Sequence, residues 1–207
     1  MARTTAPLFS LDASGSLANA IVFSKWRGRQ FVRRHTIPKN PRTAAQVGIR
    51  AMMKFLSQQY ADHKDQIDAT FTDPAAAKNV SPFNAYVAFN MRRWRENRGP
   101  SLDYPAAQDT TAITIAQTLT GGQRNVLLSN DPSGESANWG IIIYRSEDAI
   151  VTVNWNLCIG IAVANVGQAV TYTDAPLPAG DYHYRSAICN ESGIIGTACA
   201  DALTTVT

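Results

Sequence analysis

Two short segments near the amino end alternate apolar and polar residues with the period of a β-strand, and a tight turn separates them. They cover residues 19–25 and 30–35, and Gly28 in the turn between them can supply the positive φ that a hairpin requires. Alternation predicts two faces, one with Ile21, Phe23 and Lys25 and the other with Val22, Ser24 and Trp26. Because an isolated hairpin is marginal in water, we expect it to pack on helices of its own chain or on another subunit.

Two helices are predicted next, because apolar residues then recur at spacings of three or four. The first begins at Asn40-Pro41, where Asn can cap the helix and Pro suits its first position, and it runs to about residue 61. The second begins at Ser81-Pro82 and ends at Asn97-Arg98-Gly99-Pro100, which combines a C-cap with a stop. The hairpin and the two helices predict a small α+β module over residues 1–100.

The periodicity changes to two after a linker at residues 101–109, and turn residues separate a series of short β-prone segments. Such a series within about 100 residues is typical of a sandwich. The predicted strands cover residues 112–118, 125–129, 139–145, 151–155, 160–164, 169–173, 182–188 and 194–199. The expected fold class is therefore α+β, an N-terminal β-hairpin with two helices followed by an all-β sandwich at residues 110–207.

Length and composition exclude several classes of protein. The chain has 207 residues, of which 45% are hydrophobic, so a buried core is expected and wholesale disorder is not. No apolar run approaches the roughly 20 residues that cross a bilayer, and residues 1–12 lack the apolar block of a secretory signal. We therefore expect no membrane partner.

Three widely spaced cysteines fit neither a zinc ribbon nor a redox pair. Their odd number argues against a fully paired disulfide framework, and the absence of a secretory signal favours a reducing compartment. We expect buried or free thiols, with a bridge between Cys189 and Cys199 as the alternative.

Charge is distributed unevenly along the chain. Residues 1–100 carry 16 Lys or Arg and 6 Asp or Glu, a formal charge of +10, whereas residues 101–207 carry 3 and 10, a charge of −7. No acid occurs between Asp12 and Asp62, but nine bases do. These are Lys25, Arg27, Arg29, Arg33, Arg34, Lys39, Arg42, Arg50 and Lys54. This segment is expected to attract phosphate or an acidic protein surface, less strongly as salt rises.

Four further arginines crowd the end of the second predicted helix, at Arg92, Arg93, Arg95 and Arg98. Cations there are favourable against the negative end of the helix dipole, which would explain them without any partner. Contact with phosphate or an acidic partner is the other interpretation, and both remain open from the sequence.

Residues that could support catalysis are few. The histidines at positions 35, 63 and 183 are isolated, and the chain has no Cys-x-x-Cys, Gly-x-Ser-x-Gly, P-loop or dinucleotide-binding motif. The sequence therefore predicts a protein that is not an enzyme, with no catalytic residue, metal site or cofactor.

The carboxyl half carries the residues of a specific β-sandwich pattern. Leu177 and Pro178 precede Tyr182, which is followed by Tyr184 and Ser186 in alternation. This arrangement resembles the tyrosine corner and last hairpin of fibronectin type III and Ig-like domains. The resemblance covers residues 110–207 and implies a spacer or adhesive module.

A second resemblance spans the whole chain. It rests on the Gly-containing start and basic hairpin at residues 14–29, the Pro-x-Thr-x-x-Gln helix at 41–46, and the Ser-Pro-Phe-Asn helix start at 81–84. This pattern is similar to small proteins of bacteriophages and prophages, and to a family of about this length in Bacteroidetes genomes. The resemblance implies a virion structural component that is made in the host cytoplasm.

The uneven charge and the second resemblance together predict a function for the chain. It is a non-enzymatic structural protein of the capsid, neck or tail, present as a homo-oligomer or in many copies, whose basic half docks on other virion proteins while the sandwich is exposed. The expected assembly contacts are Ile21, Phe23, Lys25, Trp26, Arg27, Arg29, Phe31, Arg33, Arg34 and Arg42. The alternatives are a nucleic-acid-binding protein that contacts packaged DNA, and an adhesin-like module that binds through sandwich loops.

Overall fold

Two compact units, Met1–Pro41 and Arg42–Thr207, make up the chain in a computed structural model of the protein. The structure describes residues 3–4, 13–18, 20–26, 29–37, 40, 42–106, 115–131, 140–163, 169–191, 193 and 195–207. Each unit has its own sheets, and the three helices belong to the second unit.

The first unit is an antiparallel sheet whose strands lie side by side in the order of the sequence. The strands are β1 (Arg3–Thr4), β2 (Ala13–Leu17), β3 (Ile21–Trp26) and β4 (Arg29–Arg34). The predicted hairpin is confirmed as β3 and β4. The segment around Gly15, for which no strand was predicted, forms β2, with Gly15 opposite Phe23. The sequence of β2 does not indicate a strand, because its side chains are mostly small or polar. The strand forms through backbone pairing with β3.

The second unit begins with three helices, α1 (Ala44–Asp62), α2 (Lys64–Ala76) and α3 (Pro82–Arg95). The predicted start of α3 is confirmed, since the Ser81 hydroxyl accepts a hydrogen bond from the Asn84 amide at 3.3 Å and Pro82 occupies the first turn. Thr43, and not Asn40, caps α1. Beyond α3, Asn97 adopts the positive φ of 58° expected at a helix end.

Both predicted helices are present, as α1 and α3, and α2 is an additional helix that was not predicted. Most of its side chains are polar, and its buried residues are only Ile67, Phe71 and Ala75. These residues recur every four positions, a signal too sparse to mark a helix by itself. Among the helices of the described residues, none is long and apolar enough to cross a membrane.

The rest of the second unit is a β-sandwich, as the sequence predicted. A three-stranded antiparallel sheet has the order β5-β6-β9, and a four-stranded antiparallel sheet has the order β11-β10-β7-β8. Their bounds are β5 (Ala116–Gly121), β6 (Val126–Asp131), β7 (Gly140–Ser146), β8 (Cys158–Val163), β9 (Val170–Asp174), β10 (Gly180–Cys189) and β11 (Ala202–Val206).

Two predicted strands, at residues 151–155 and 194–199, are absent from the described residues of these segments. The first segment leads into a short 3-10 helix. The second follows β10 without a regular ladder, through an isolated bridge between Ile195 and Cys189 and through the amides of Gly196 and Cys199, which donate to the carbonyls of Ile188 and Ser186. One side chain explains both differences. Arg185 on β10 donates to the carbonyls of Ile150, Val151, Ala198 and Cys199 at 2.7–3.2 Å. A guanidinium therefore satisfies carbonyls that a strand would have paired with a neighbouring strand.

The four-stranded sheet is covered on both faces. On β7, Ile141 and Ile143 pack with the core between the two sheets, whereas Ile142 and Tyr144 pack with the helices. The second unit thus has three layers, with helices on one side of this sheet and the three-stranded sheet on the other. Helices and sandwich share a core, and the predicted linker at 101–109 falls within the unit Arg42–Thr207.

Gly48 lies at a close approach between α1 and the sandwich. A Cβ atom at this position of α1 would lie 2.6 Å from the carbonyl oxygen of Trp155 and 3.4 Å from that of Cys158. Backbone carbonyls cannot move aside as a flexible side chain can, so the approach depends on glycine.

Replacing Gly48 by alanine tests this contact. Alanine favours a helix by about 1 kcal/mol over glycine, but overpacking against a fixed backbone costs up to about 3 kcal/mol. We expect Gly48→Ala to lower the free energy of unfolding by about 2 kcal/mol in urea titrations. Gln58→Ala, at an exposed position of the same helix, should change it by less than about 0.5 kcal/mol. A stabilised Gly48→Ala variant would contradict the close packing.

Candidate functional site

The two faces of the N-terminal sheet follow from the register of β3 and β4. Residues directly opposite each other in antiparallel strands point to the same side. The pairs Ile21–Arg34 and Phe23–Val32 therefore share one face, and the pairs Val22–Arg33 and Ser24–Phe31 share the other. The predicted alternation is confirmed for these residues, and each face combines apolar side chains with an arginine.

The apolar residues of this sheet are exposed to an unusual degree. Ile21 is 39% exposed, Phe31 41% and Val32 60%. Of the side chains that the structure describes between Gly15 and Arg34, none is buried. A sheet generally needs a hydrophobic face packed on something for independent stability. The N-terminal sheet is therefore the candidate contact surface of the molecule.

Strand β4 forms one edge of the sheet. It pairs with β3 on one side and has no neighbour on its other side among the described strands. Arg33 and Arg34 on this strand are both exposed. Charged side chains on an open edge discourage a second copy of the same strand from pairing with it, so the edge is protected against self-association.

The remaining predicted assembly residues are only partly described. Lys25 and Trp26 lie in β3 and Arg29 lies in β4, as far as the backbone shows. Arg27 lies outside the described residues. Arg42 is exposed just before the N-cap of α1 and belongs to the second unit, so the structure does not place it in the sheet.

The four arginines near the end of α3 have different environments. Arg92 and Arg95 are exposed on the helix, and Arg98 is exposed beyond it, with its Nε atom 3.9 Å from a Glu96 carboxylate oxygen. Surface pairs at that distance contribute little to stability. Three of the four predicted phosphate or acidic-partner contacts therefore remain accessible.

Arg93 is the exception, because it is committed to backbone carbonyls. Its Nε atom donates to Gly99 at 2.9 Å and its Nη2 atom donates to Gly193 at 2.6 Å. Burial lowers the pKa of this half-buried guanidinium, and the ring of Phe89 lies 5.7 Å away. Arg93 joins α3 to the loop after β10, which is a structural task that the sequence could not separate from a binding one.

Three polar side chains of the sandwich, Arg145, Asp174 and Tyr184, bond to one another. Arg145 Nη1 lies 2.7 Å from Asp174 Oδ2, and the Tyr184 hydroxyl donates to the same carboxylate oxygen at 2.9 Å. The Tyr182 hydroxyl donates to the carbonyl of Pro178 at 3.2 Å, the hydrogen bond of the predicted tyrosine corner. These contacts fix strands to one another.

All three cysteines are free thiols, as predicted, and the alternative bridge between Cys189 and Cys199 is not formed. Burial raises the pKa of Cys158 and of Cys189 to about 12 each, and it also raises the pKa of Cys199. Since the thiolate is the reactive species, burial suppresses the nucleophilicity of these groups at neutral pH. Within the described ranges, no three His, Cys, Asp or Glu side chains converge to hold a metal ion.

No family model and no curated protein matches this chain. Among solved structures, the pectate lyase PelI from Erwinia chrysanthemi in complex with tetragalacturonic acid is 20% identical, with a TM-score of 0.29 over 42% of this chain and 26% of that one. The PmoD soluble domain from Methylocystis sp. ATCC 49242 (Rockwell) is 13% identical, with a TM-score of 0.31 over 51% of this chain and 86% of that one. Likenesses this weak carry no conclusion about function.

The buried thiols predict how stability changes at alkaline pH. Both pKa values lie above the usual value of 9.0, so the folded state holds protons that the unfolded state releases. Stability is therefore full below pH 9 and falls as pH rises from 9 towards 12. At pH 9.5 the expected loss is about 1 kcal/mol for each thiol.

Urea unfolding at pH 7.5 and 9.5 measures this effect. The double variant Cys158→Ala/Cys189→Ala is the control, because it lacks both groups and should lose less stability between the two pH values. An equal loss in the two proteins would show that the thiols are not the cause.

Proposed function

We propose that this protein is a non-enzymatic structural component of a bacteriophage virion, in the capsid, neck or tail, and that its N-terminal sheet docks on neighbouring subunits. One observation carries the docking part of the proposal. Apolar and arginine side chains of β3 and β4 are exposed in a sheet that buries none of its described side chains. The resemblance of the sequence to phage proteins supplies the virion context.

Apolar contact and charge would contribute differently to such docking. Burial of Ile21, Phe31 and Val32 against a neighbour contributes about 25 cal/mol for each Å² of apolar area removed from water. Residues 1–41 carry seven Lys or Arg and one Asp, a formal charge of +6. Charge of this kind speeds encounter with an acidic surface and sets specificity, whereas apolar burial holds the complex.

The second unit would then be the body that the assembled particle presents. Its helices cover one face of the four-stranded sheet, so that face is unavailable to a ligand or receptor. The outer side of the three-stranded sheet carries exposed residues such as Leu127 and remains accessible. Membership of this sandwich in the fibronectin type III or Ig-like class stays a prediction, which the Tyr182 corner supports.

Incorporation into particles tests the proposal. Wild-type chain and the variant Phe31→Ser/Val32→Ser, which removes one exposed apolar side chain from each face, are expressed in infected cells, and copies per purified particle are counted by quantitative mass spectrometry. We expect many copies of wild type per particle and at least about tenfold fewer of the variant, since two lost apolar contacts are together worth more than about 1.4 kcal/mol.

Leu203→Ser is the matched control, because Leu203 is 58% exposed on β11 of the sandwich. It should join particles as wild type does, and circular dichroism should show that both variants are folded. A wild-type chain that remains monomeric and never enters particles at physiological salt would refute the proposal.

Nucleic-acid binding is a second candidate, favoured by the free arginines. Arg33, Arg34, Arg92 and Arg95 are exposed, and none of them forms an ion pair with a described residue. Exposed guanidinium groups without a carboxylate partner are available to phosphate oxygens. This candidate is compatible with a protein inside the particle that contacts packaged DNA.

A salt titration with duplex DNA separates this candidate from purely protein-mediated docking. If Arg33 and Arg34 contact phosphates, log affinity falls linearly with log salt, and Arg33→Gln/Arg34→Gln reduces the slope by about 2 units. Lys64→Gln is the control, because Lys64 is exposed but already paired with Asp68. Absence of binding at low salt would remove the candidate.

A further inference from the structure

A small cleft lies in the second unit between α2, α3 and the segment that follows α3. Its volume is about 120 Å³, and the rings of Phe71, Phe89 and Tyr104 line it. Ala85 and Ala88 on α3 also line it, and their short side chains leave the space open. An enclosed apolar cavity of about 150 Å³ accepts one benzene molecule, so this smaller cleft, which is open on one side, is on the scale of a single side chain.

The three rings pack in edge or tilted contacts and form a hydrophobic wall. Ring centroids lie 5.7 Å apart for Phe71 and Phe89, 5.6 Å for Phe71 and Tyr104, and 5.1 Å for Phe89 and Tyr104. Tyr104 is 46% exposed, which is unusual for a ring in an aromatic cluster. An apolar group entering the cleft would cover this exposed ring surface.

Hydrogen bonds hold the segment that carries Tyr104 in place. The fully buried side chain of Asn90 exchanges two hydrogen bonds with the backbone of Ser101, at 2.8 and 3.0 Å. The Thr70 hydroxyl donates to the carbonyl of Leu102 at 3.1 Å. The aromatic wall is therefore ordered before any ligand arrives, which reduces the entropy that binding must overcome.

Two cations complete the lining, Lys78 after α2 and Arg92 on α3. Both are exposed, neither makes an ion pair with a described residue, and none of the described lining residues is an acid. Asp73 and Asp103 each neighbour a lining residue in the chain but do not contribute to the lining. The cleft thus combines a ring-sized apolar space with two unpaired positive charges.

We propose that this cleft binds the C-terminal residue of a partner polypeptide that ends in a large apolar residue such as Phe or Leu. The side chain enters between the rings, and the terminal carboxylate binds Arg92 and Lys78. A C-terminal residue carries both groups on one carbon, which matches a small cleft with rings and cations together. In a nucleotide, a ribose separates phosphate from base, and an internal Asp or Glu offers a carboxylate without an apolar body.

The inference goes beyond virion assembly and uses none of the residues of the N-terminal sheet. Its failure would leave the docking proposal intact, and failure of particle incorporation would leave the cleft intact. The planar guanidinium of Arg92 can receive both carboxylate oxygens, and Lys78 adds a second charge, so loss of either the carboxylate or Arg92 should weaken binding about tenfold.

Peptide titration of the full-length protein, followed by backbone amide NMR shifts, provides the test. The probe is the hexapeptide Gly-Gly-Gly-Gly-Gly-Phe with a free C-terminus, compared with its C-terminal amide and with the same peptide ending in Ala. We expect the free acid to shift amides of α3 and of residues 102–104, and both comparison peptides to bind about tenfold more weakly. Saturation with N-acetyl-phenylalanine but no effect of the hexapeptide would overturn the polypeptide assignment.

Variants of α3 link the binding to the cleft. Arg92→Gln should weaken binding of the free acid about tenfold. Ala88→Leu should abolish binding by filling the cleft, and it should leave the helix intact because Ala88 is exposed on α3. Arg95→Gln is the matched control, because Arg95 is exposed on the same helix but does not line the cleft. Equal losses of peptide affinity in Arg92→Gln and Arg95→Gln would show a general charge effect and overturn the proposal. Binding of phenyl phosphate more tightly than the free-acid peptide would overturn it as well.

Discussion

Burial of the four-stranded sheet on both faces is the constraint on which the second unit depends. Its strand β7 has a run of large apolar residues, and alternate members of that run serve two different cores. Strand β10 does the same, with Tyr184 and Ile188 in one core and Ala187 and Cys189 in the other. Removal of either outer layer would expose one of these sets to water, so helices and sandwich stabilise each other.

The same constraint explains the polar interactions of the unit. Segments that cross a sheet covered on both faces cannot pair all their carbonyls in a regular strand ladder. The guanidinium groups of Arg185 on β10 and Arg93 on α3 donate hydrogen bonds to such carbonyls. Arg145 instead pairs with Asp174 between the two sheets. Arg93, Arg145 and Arg185 therefore bond within the fold, although a charge count would treat them as surface charge. Fewer cations are available to a partner than the composition suggests.

Local signals in the sequence predicted local structure well. The Ser81 cap, the β3–β4 hairpin and the Tyr182 corner each depend on a few neighbouring residues, and each is present. Helix α2 and the shared core were missed because they depend on packing between distant segments. The unbroken apolar run of β7 was the available signal for the shared core, since apolar and polar residues no longer alternate when both faces of a strand are buried. For the candidate site, the alternation of residues in β3 correctly predicted the two faces of the sheet. The exposure of its apolar side chains and the hydrogen bonds of Arg93 within the fold could be seen only in the structure.

Phe31 and Val32 are neighbours in the chain and point to opposite sides of a single-layered sheet. A partner that covers one side leaves the other in water, so full burial requires either two partner surfaces or a slot that encloses the strand pair. In the proposed docking, the sheet would in this sense be bivalent. A bivalent element connects the two partners that it binds. Binding of one partner raises the effective concentration of the second contact. In the proposed assembly, even weak individual contacts would then hold neighbouring bodies together for a long time.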